Sequence, residues 1–164
     1  MSSLRRLADR DRWLRLAQRY LRFGTRSSAE LRTYLTGRHA SESAVARILK
    51  ACIQAGLIDD RAGAKLLAQA LGDRGYAAAA IRATLRDRGF HDHAIDDALN
   101  AMQARASDEQ RARTVVAQAL RRSSASTPRC RTAVASRLAR RGFDPELIDH
   151  LLLEAFGPRR PDDE

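Results

Sequence analysis

Apolar side chains recur along this chain at helical spacing and do not alternate. Leu31 and Leu35, Ile81 and Leu85, and Val134 and Leu138 are i,i+4 pairs, followed by the pairs Val45 and Leu49, Ile95 and Leu99, and Ile148 and Leu152. Such spacing marks one buried helix face. The four-residue set returns after 50 residues and again after 53, and the extra length of the third copy falls in the polar stretch Ser123-Ser124-Ala125-Ser126-Thr127-Pro128. The dipeptides Ala17-Gln18, Ala68-Gln69 and Ala117-Gln118 each sit in a helical apolar pattern, about 50 residues apart. Three copies of one unit are the simplest account. No Val/Ile/Thr alternation and no Asn-Gly turn signals a strand. The chain is expected to be all-α, with three tandem three-helix repeats over 1–57, 58–106 and 107–157 and a disordered tail over 158–164.

Punctuation between the helices repeats as well. Leu71…Gly75-Tyr76, Leu85…Gly89-Phe90 and Leu138…Gly142-Phe143 share the frame Leu, three residues, Gly, aromatic. In a helix C-terminus of this kind, Gly adopts the left-handed conformation and the following residue packs back on the Leu. Gly56-Leu57 is a fourth case, with Cys52 in the Leu slot. Ser27-Ser28-Ala29-Glu30 reads as a capping box, and Asp144-Pro145-Glu146 puts an N-cap before Pro at the first helical position. Helices are predicted near 10–23, 28–37, 42–55, 60–74, 77–88, 92–105, 108–121, 129–141 and 145–156.

Composition narrows the architecture. Of 164 residues 44% are hydrophobic, but 30 are Ala and only 5% are aromatic. So little bulk suits a thin, elongated and curved stack of helices better than a thick core. No stretch approaches the roughly 18 unbroken apolar residues of a membrane span, the start carries no secretory signal, and two cysteines make no disulfide framework. A cytoplasmic protein is expected. The net charge of +10 is uneven: residues 1–57 carry 12 basic and 4 acidic groups, 58–106 carry 7 and 7, and 107–164 carry 11 and 9. A positive field concentrated at one end implies a polyanionic partner there.

Several of these segments together resemble the RecX family, regulators of the RecA recombinase. The resemblance rests on Gly56-Leu57-Ile58-Asp59-Asp60, Arg74-Gly75-Tyr76, Ile81…Leu85…Arg88-Gly89-Phe90, Ile95…Ala98-Leu99, and the element Arg26-Ser27-Ser28-Ala29-Glu30-Leu31-Arg32…Leu35, and covers roughly residues 12–156. It implies a modular cytosolic bacterial protein, with a place in DNA repair, recombination and the SOS response. Such a protein lies along the groove of a RecA–DNA filament and limits its growth, ATP hydrolysis and strand exchange. Where the family usually carries an aromatic three residues after the Asp-Asp pair, this chain has Gly63.

Two arginine groups are the candidate filament and nucleic-acid contacts. At about 100° per residue, Arg12, Arg15, Arg19, Arg22 and Arg26 fall in one wedge opposite Trp13, Leu16, Ala17 and Tyr20. Ordinary solvated faces interleave acidic residues, and here none stands between Arg12 and Arg26. Like charges one turn apart repel, so such a row makes sense when a polyanion neutralises it. The second group is Arg121, Arg122, Arg129, Arg131, Arg137, Arg140 and Arg141, around the third copy's extra residues. Single- and double-stranded DNA are expected to bind weakly, with strong salt dependence.

The remaining polar groups suggest structure rather than chemistry. Asp59-Asp60 reads as N-capping. His91-Asp92-His93 with Asp96 and Asp97 lacks a Cys or third His to close a metal site, and His150 with Glu154 reads as a surface pair. Cys52 suits a core, and Cys130 lies between Arg129 and Arg131. No phosphate-binding loop, nucleophile elbow or zinc-protease motif is present. The expectation is a regulator with no catalytic residues, metal, cofactor or small-molecule substrate. Alternative readings are a DNA-binding transcription regulator and an RNA-associated helical repeat protein. Adenine readout favours Asn or Gln, and the chain has one Asn, Asn100. Base stacking needs aromatics to spare, and there are eight.

Overall fold

The computed structural model describes residues 2–122 and 127–158, residues 2–9 by their backbone alone. The fold is all-α. Among the described residues there are nine helices and no strand: α1 (Ser2–Leu21), α2 (Ser28–Thr36), α3 (Glu42–Gln54), α4 (Asp60–Asp73), α5 (Ala78–Asp87), α6 (Asp92–Arg105), α7 (Asp108–Arg122), α8 (Pro128–Arg140) and α9 (Pro145–Phe156). The tail beyond Pro158 and the stretch Ser123–Ser126 lie outside the described residues.

Helix ends follow from local chemistry. Gly56, Gly75, Gly89 and Gly142 all have φ between 68° and 79°. After them the amides of Leu57, Tyr76, Phe90 and Phe143 donate to the carbonyls of Cys52, Leu71, Leu85 and Leu138 at 2.9, 3.1, 3.1 and 3.3 Å. This is the C-terminal motif in which the residue after Gly reaches back to satisfy an orphan carbonyl. His39 plays the glycine's part after α2, at φ 64°, with the Ala40 amide donating to Leu35 at 3.2 Å. At the starts, Ser27 and Glu30 form the reciprocal capping box, and Asp144 caps α9 ahead of Pro145. Ser107 and Gln110 make a second box that the sequence reading did not single out.

All twelve residues of the recurring apolar set are buried. The dipeptide register needs one correction. Ala17 and Ala68 are buried, but Ala117 is exposed, and the inward face of α7 is Arg111, Ala112, Val115 and Val116. The i,i+4 spacing of Trp13 and Ala17 thus corresponds to Ala112 and Val116, one residue earlier than the Ala-Gln match.

The chain divides into two compact units. One comprises the residues up to Leu67 with Leu85–Ala98, and the other Ala68–Thr84 with the residues from Leu99 onward. In the first, α1, α2 and α3 pack on one another around Trp13, Ala17, Leu31, Leu35, Val45, Ile48 and Cys52. In the second, α7, α8 and α9 do the same around Val115, Val116, Val134, Leu138, Phe143, Leu151 and Leu152.

Each unit contains the same joint. In the first, the Ser27 hydroxyl donates to the Arg88 carbonyl, the Ser28 amide donates to Asp60 Oδ1 at 2.8 Å, and Ala29 packs on Gly89. In the second, the Ala77 amide donates to the Arg141 carbonyl at 2.9 Å, the Ala78 amide donates to the Asp108 carboxylate at 3.0 Å, and Ala80 packs on Gly142. Both joints cap a helix start with a distant Asp and press an Ala against a left-handed Gly. Gly63 belongs to the first unit. A Cβ there would lie 3.2 Å from Thr25 Cγ2 and 3.4 Å from Phe90 Cε1, so these two side chains already occupy the space beside it.

Candidate nucleic-acid interface

On α1, the Trp13–Ala17 face turns inward, and Arg12, Arg15 and Arg19, with Arg22 directly after the helix, are exposed. Arg12 stands 5.1 Å from the Trp13 ring centroid. None of the four pairs with a carboxylate among the described residues. Phe23, next in the chain, is 74% exposed. Arg26 departs from the expected row. Helix α1 ends at Leu21, so the helical projection does not reach residue 26. Its guanidinium lies 4.9 Å from the Tyr20 ring and 3.6 Å from Glu30.

Arg26 is one end of a stacked ladder. Tyr20 and Tyr34 stack at 4.0 Å between centroids, and Arg38 covers the far side of Tyr34 at 3.7 Å. Glu30 beside it accepts Arg88 Nε at 3.0 Å and Nη2 at 2.8 Å, plus the Ser27 amide at 2.8 Å. Burial pushes the Glu30 carboxyl up, but the Arg88 and Ser27 hydrogen bonds and the charges of Arg88 and Arg26 outweigh it and hold the group below the usual range.

The second arginine group is only partly brought together. Arg122, Arg129, Arg137 and Arg140 line one groove of about 640 Å³ between α7 and α8, with Ala133, Val134 and the half-buried Cys130 on its walls. No carboxylate is among its described lining residues. Arg121 is exposed at the end of α7 outside this groove. Arg131 donates to the Gly157 carbonyl at 2.7 Å, and Arg141 stands 5.7 Å from the Tyr76 ring. Arg131 is thus held by its own chain, and neither it nor Arg141 lines the groove.

The polar clusters resolve into structural pairs. The Asp59 carboxylate caps α4 by accepting the Ala62 amide at 2.9 Å, while Asp60 serves the start of α2. Asp92 accepts Arg86 Nε at 3.0 Å, and Asp97 pairs with Arg61 at 2.6 Å and with His93 at 3.5 Å. Glu154 pairs with Arg113 at 2.6 Å and with His150 at 3.1 Å. Among the described residues no group of three His, Cys, Asp or Glu side chains is placed to hold a metal ion. No described helix is long and apolar enough to cross a membrane.

Arginine surfaces of this kind are shared by many polyanion binders, and sequence relatives narrow the choice. The chain is 32% identical to the regulatory protein RecX of Mycobacterium sp. strain JLS over 151 residues, 86% of this chain and 80% of that protein. It belongs to the RecX family. The RecX proteins of Mycobacterium sp. strains KMS and MCS match to the same extent. RecX crystal structures share the fold: that from Lactobacillus salivarius superposes with a TM-score of 0.71 at 21% identity, over 91% of this chain and 97% of its own. A second RecX crystal structure gives a TM-score of 0.65 at 23% identity, over 85% of this chain and 70% of that one. No family model matches the chain.

The sequence reading did not single out three features of this RecX-family chain. Phe23 lies outside the Leu–Gly–aromatic frame, and that was its only signal. The Tyr20–Tyr34 stack joins α1 to α2, which no local pattern announces. Arg74, Arg105 and Arg111 are scattered in sequence but line one cavity with Arg141.

Proposed function

We propose that this protein binds a RecA–DNA nucleoprotein filament and restrains its growth, ATP hydrolysis and strand exchange, acting in the bacterial cytoplasm in DNA repair and the SOS response. The observation that carries the reading is the row Arg12, Arg15, Arg19 and Arg22, without a carboxylate partner among the described residues, in a chain of the RecX family. Unpaired guanidiniums on one helix face gain most from a phosphate backbone, whose condensed counterions they release. The groove of Arg122, Arg129, Arg137 and Arg140 supports the same partner, since planar guanidiniums match phosphate oxygens bidentately. Phe23 beside Arg22 adds a stacking surface for an unpaired base. The protein acts as a modular binder of three repeats, 1–57, 58–106 and 107–157, without chemistry of its own. The recurrence of the Asp–Arg–Gly joint supports that modularity.

The test is ATP hydrolysis by the cognate recombinase on single-stranded DNA, with this protein titrated far below stoichiometry. Inhibition at such ratios is expected, because filament capping acts at ends while masking of DNA needs enough protein to coat it. Inhibition only at coating ratios makes the protein a general basic binder. No effect at any ratio overturns the reading and leaves a DNA-operator or RNA partner to be tried.

A further inference from the structure

A second arginine cluster lies away from the groove. A cavity of about 200 Å³ in the second unit is lined by Arg74, Arg105, Arg111 and Arg141. The one carboxylate among its described lining residues, Asp73, accepts Gln69 Nε2 at 2.6 Å. Arg111 is 6% exposed, donating Nη1 to the Ala106 carbonyl and Nη2 to Asp108, and its Nε is buried with no partner. Asp108 also accepts the Ala78 amide at 3.0 and 3.3 Å, so its charge is shared with the start of α5. Arg74 and Arg141 each stand 5.7 Å from the same Tyr76 ring. Among the described residues neither they nor Arg105 pair with a carboxylate.

Gathering these charges is unfavourable without an anion. Arg111 is buried and Arg141 half-buried, while Arg74 and Arg105 are exposed; like charges repel more where water is thinned out, as around the first two. A buried N–H on a cation that finds no acceptor adds its own desolvation cost. Burial lowers the pKa of Arg141, and the charges of Arg137 and Arg74 lower it further against the opposing effect of Tyr76. The backbone nevertheless makes room for the cluster: a Cβ on Gly75 would sit 2.7 Å from Arg141 Nη1. Guanidiniums recognise planar arrays of oxygens, phosphate above all. The volume sets the size of the guest. It is below the roughly 300–1,000 Å³ of drug-sized pockets, and equals about seven waters at about 30 Å³ each.

We propose that this cavity is a phosphoryl-oxyanion site, in which one phosphate group is held by Arg74, Arg105, Arg111 and Arg141. The phosphate comes either from a nucleic-acid backbone or from a free phosphorylated small molecule. The experiment contains no recombinase, so its outcome is independent of the filament reading. Thermal melts of the full chain are recorded with inorganic phosphate, pyrophosphate and a single-stranded oligodeoxynucleotide, each against chloride at matched ionic strength. A ligand at ten times its Kd raises Tm by about 3–6 °C for a chain of this size. Thr114→Glu places a carboxylate on the exposed cavity wall of α7. It is expected to raise Tm without ligand and to abolish the ligand shift. Arg105→Gln, at an exposed position, is expected to weaken the ligand by about tenfold or more. A saturable shift with phosphate or pyrophosphate that both variants reduce identifies a free phosphoryl ligand. A shift with the oligonucleotide alone, reduced by the same variants, identifies a phosphodiester. Equal shifts in chloride, or shifts unchanged in both variants, overturn the proposal.

Discussion

Substituting alanine at three glycines of near-identical backbone separates two costs that a sequence merges. Gly56, Gly89 and Gly142 have φ of 68°, 73° and 77°, so Ala pays the same left-handed penalty at each, about 1 kcal/mol. Around Gly56 nothing lies within 4 Å of the added Cβ, whereas at Gly89 it would sit 2.4 Å from Ala29 Cβ, and at Gly142 2.7 Å from Ala80 Cβ. Carbon pairs rest near 3.5–4.0 Å, so the two joints must open, and overpacking of this sort costs about 1–3 kcal/mol. Gly56→Ala is therefore expected to destabilise by about 1 kcal/mol, and Gly89→Ala and Gly142→Ala by about 2–4 kcal/mol. Urea unfolding followed by circular dichroism measures each difference. Gly56 and Gly89 lie in the same compact unit, so their comparison does not depend on how the two units unfold. Adding Ala29→Gly to Gly89→Ala should recover most of the steric part, seen as a coupling of about 1–2 kcal/mol in a double-mutant cycle. Three equal losses, or no coupling with Ala29, would refute the joint as a packing contact.

Three further outcomes follow from single features. His39 holds a left-handed conformation at φ 64° without being glycine, so His39→Gly should stabilise by about 0.5–1 kcal/mol in the same urea assay; a loss of stability would show that the imidazole contributes more than its strain. The Glu30 carboxyl is held below its usual value of 4.5, so its contribution is present above that pH and lost as pH falls through the lower folded value. Glu30→Gln should accordingly narrow the gap between melts at pH 6 and pH 3 (roughly the carboxylate titration window), and an unchanged gap would contradict the Arg88 pairing. On the proposed function, Arg15→Glu with Arg19→Glu should weaken single-stranded DNA binding and reduce the slope of log affinity against log salt by about 0.7 per lost phosphate contact, as read by fluorescence anisotropy; Phe23→Ala should weaken binding with little change in that slope.

The parts of this protein written in short-range patterns were legible before any coordinates. Helix starts at Ser27 and Asp144 and ends at Gly75, Gly89 and Gly142 follow from backbone groups that must find partners within a few residues, and the twelve-residue apolar set follows from helical period alone. Arg12, Arg15, Arg19 and Arg22 were legible for the same reason, since all lie within one helix or directly at its end. Arg26 was misplaced because a projection assumes the helix continues, and α1 ends at Leu21. What needed the tertiary structure was every choice among chemically equal partners. Asp59 and Asp60 are adjacent, yet one caps its own helix and the other reaches Ser28. Arg131 and Arg140 look alike in the chain, but only Arg140 lines the groove while Arg131 is tied to Gly157. Arg74, Arg105, Arg111 and Arg141 converge on one cavity from positions up to 67 residues apart. Local rules act through the backbone over one or two turns, whereas a guanidinium's partner is settled by which distant helix arrives beside it.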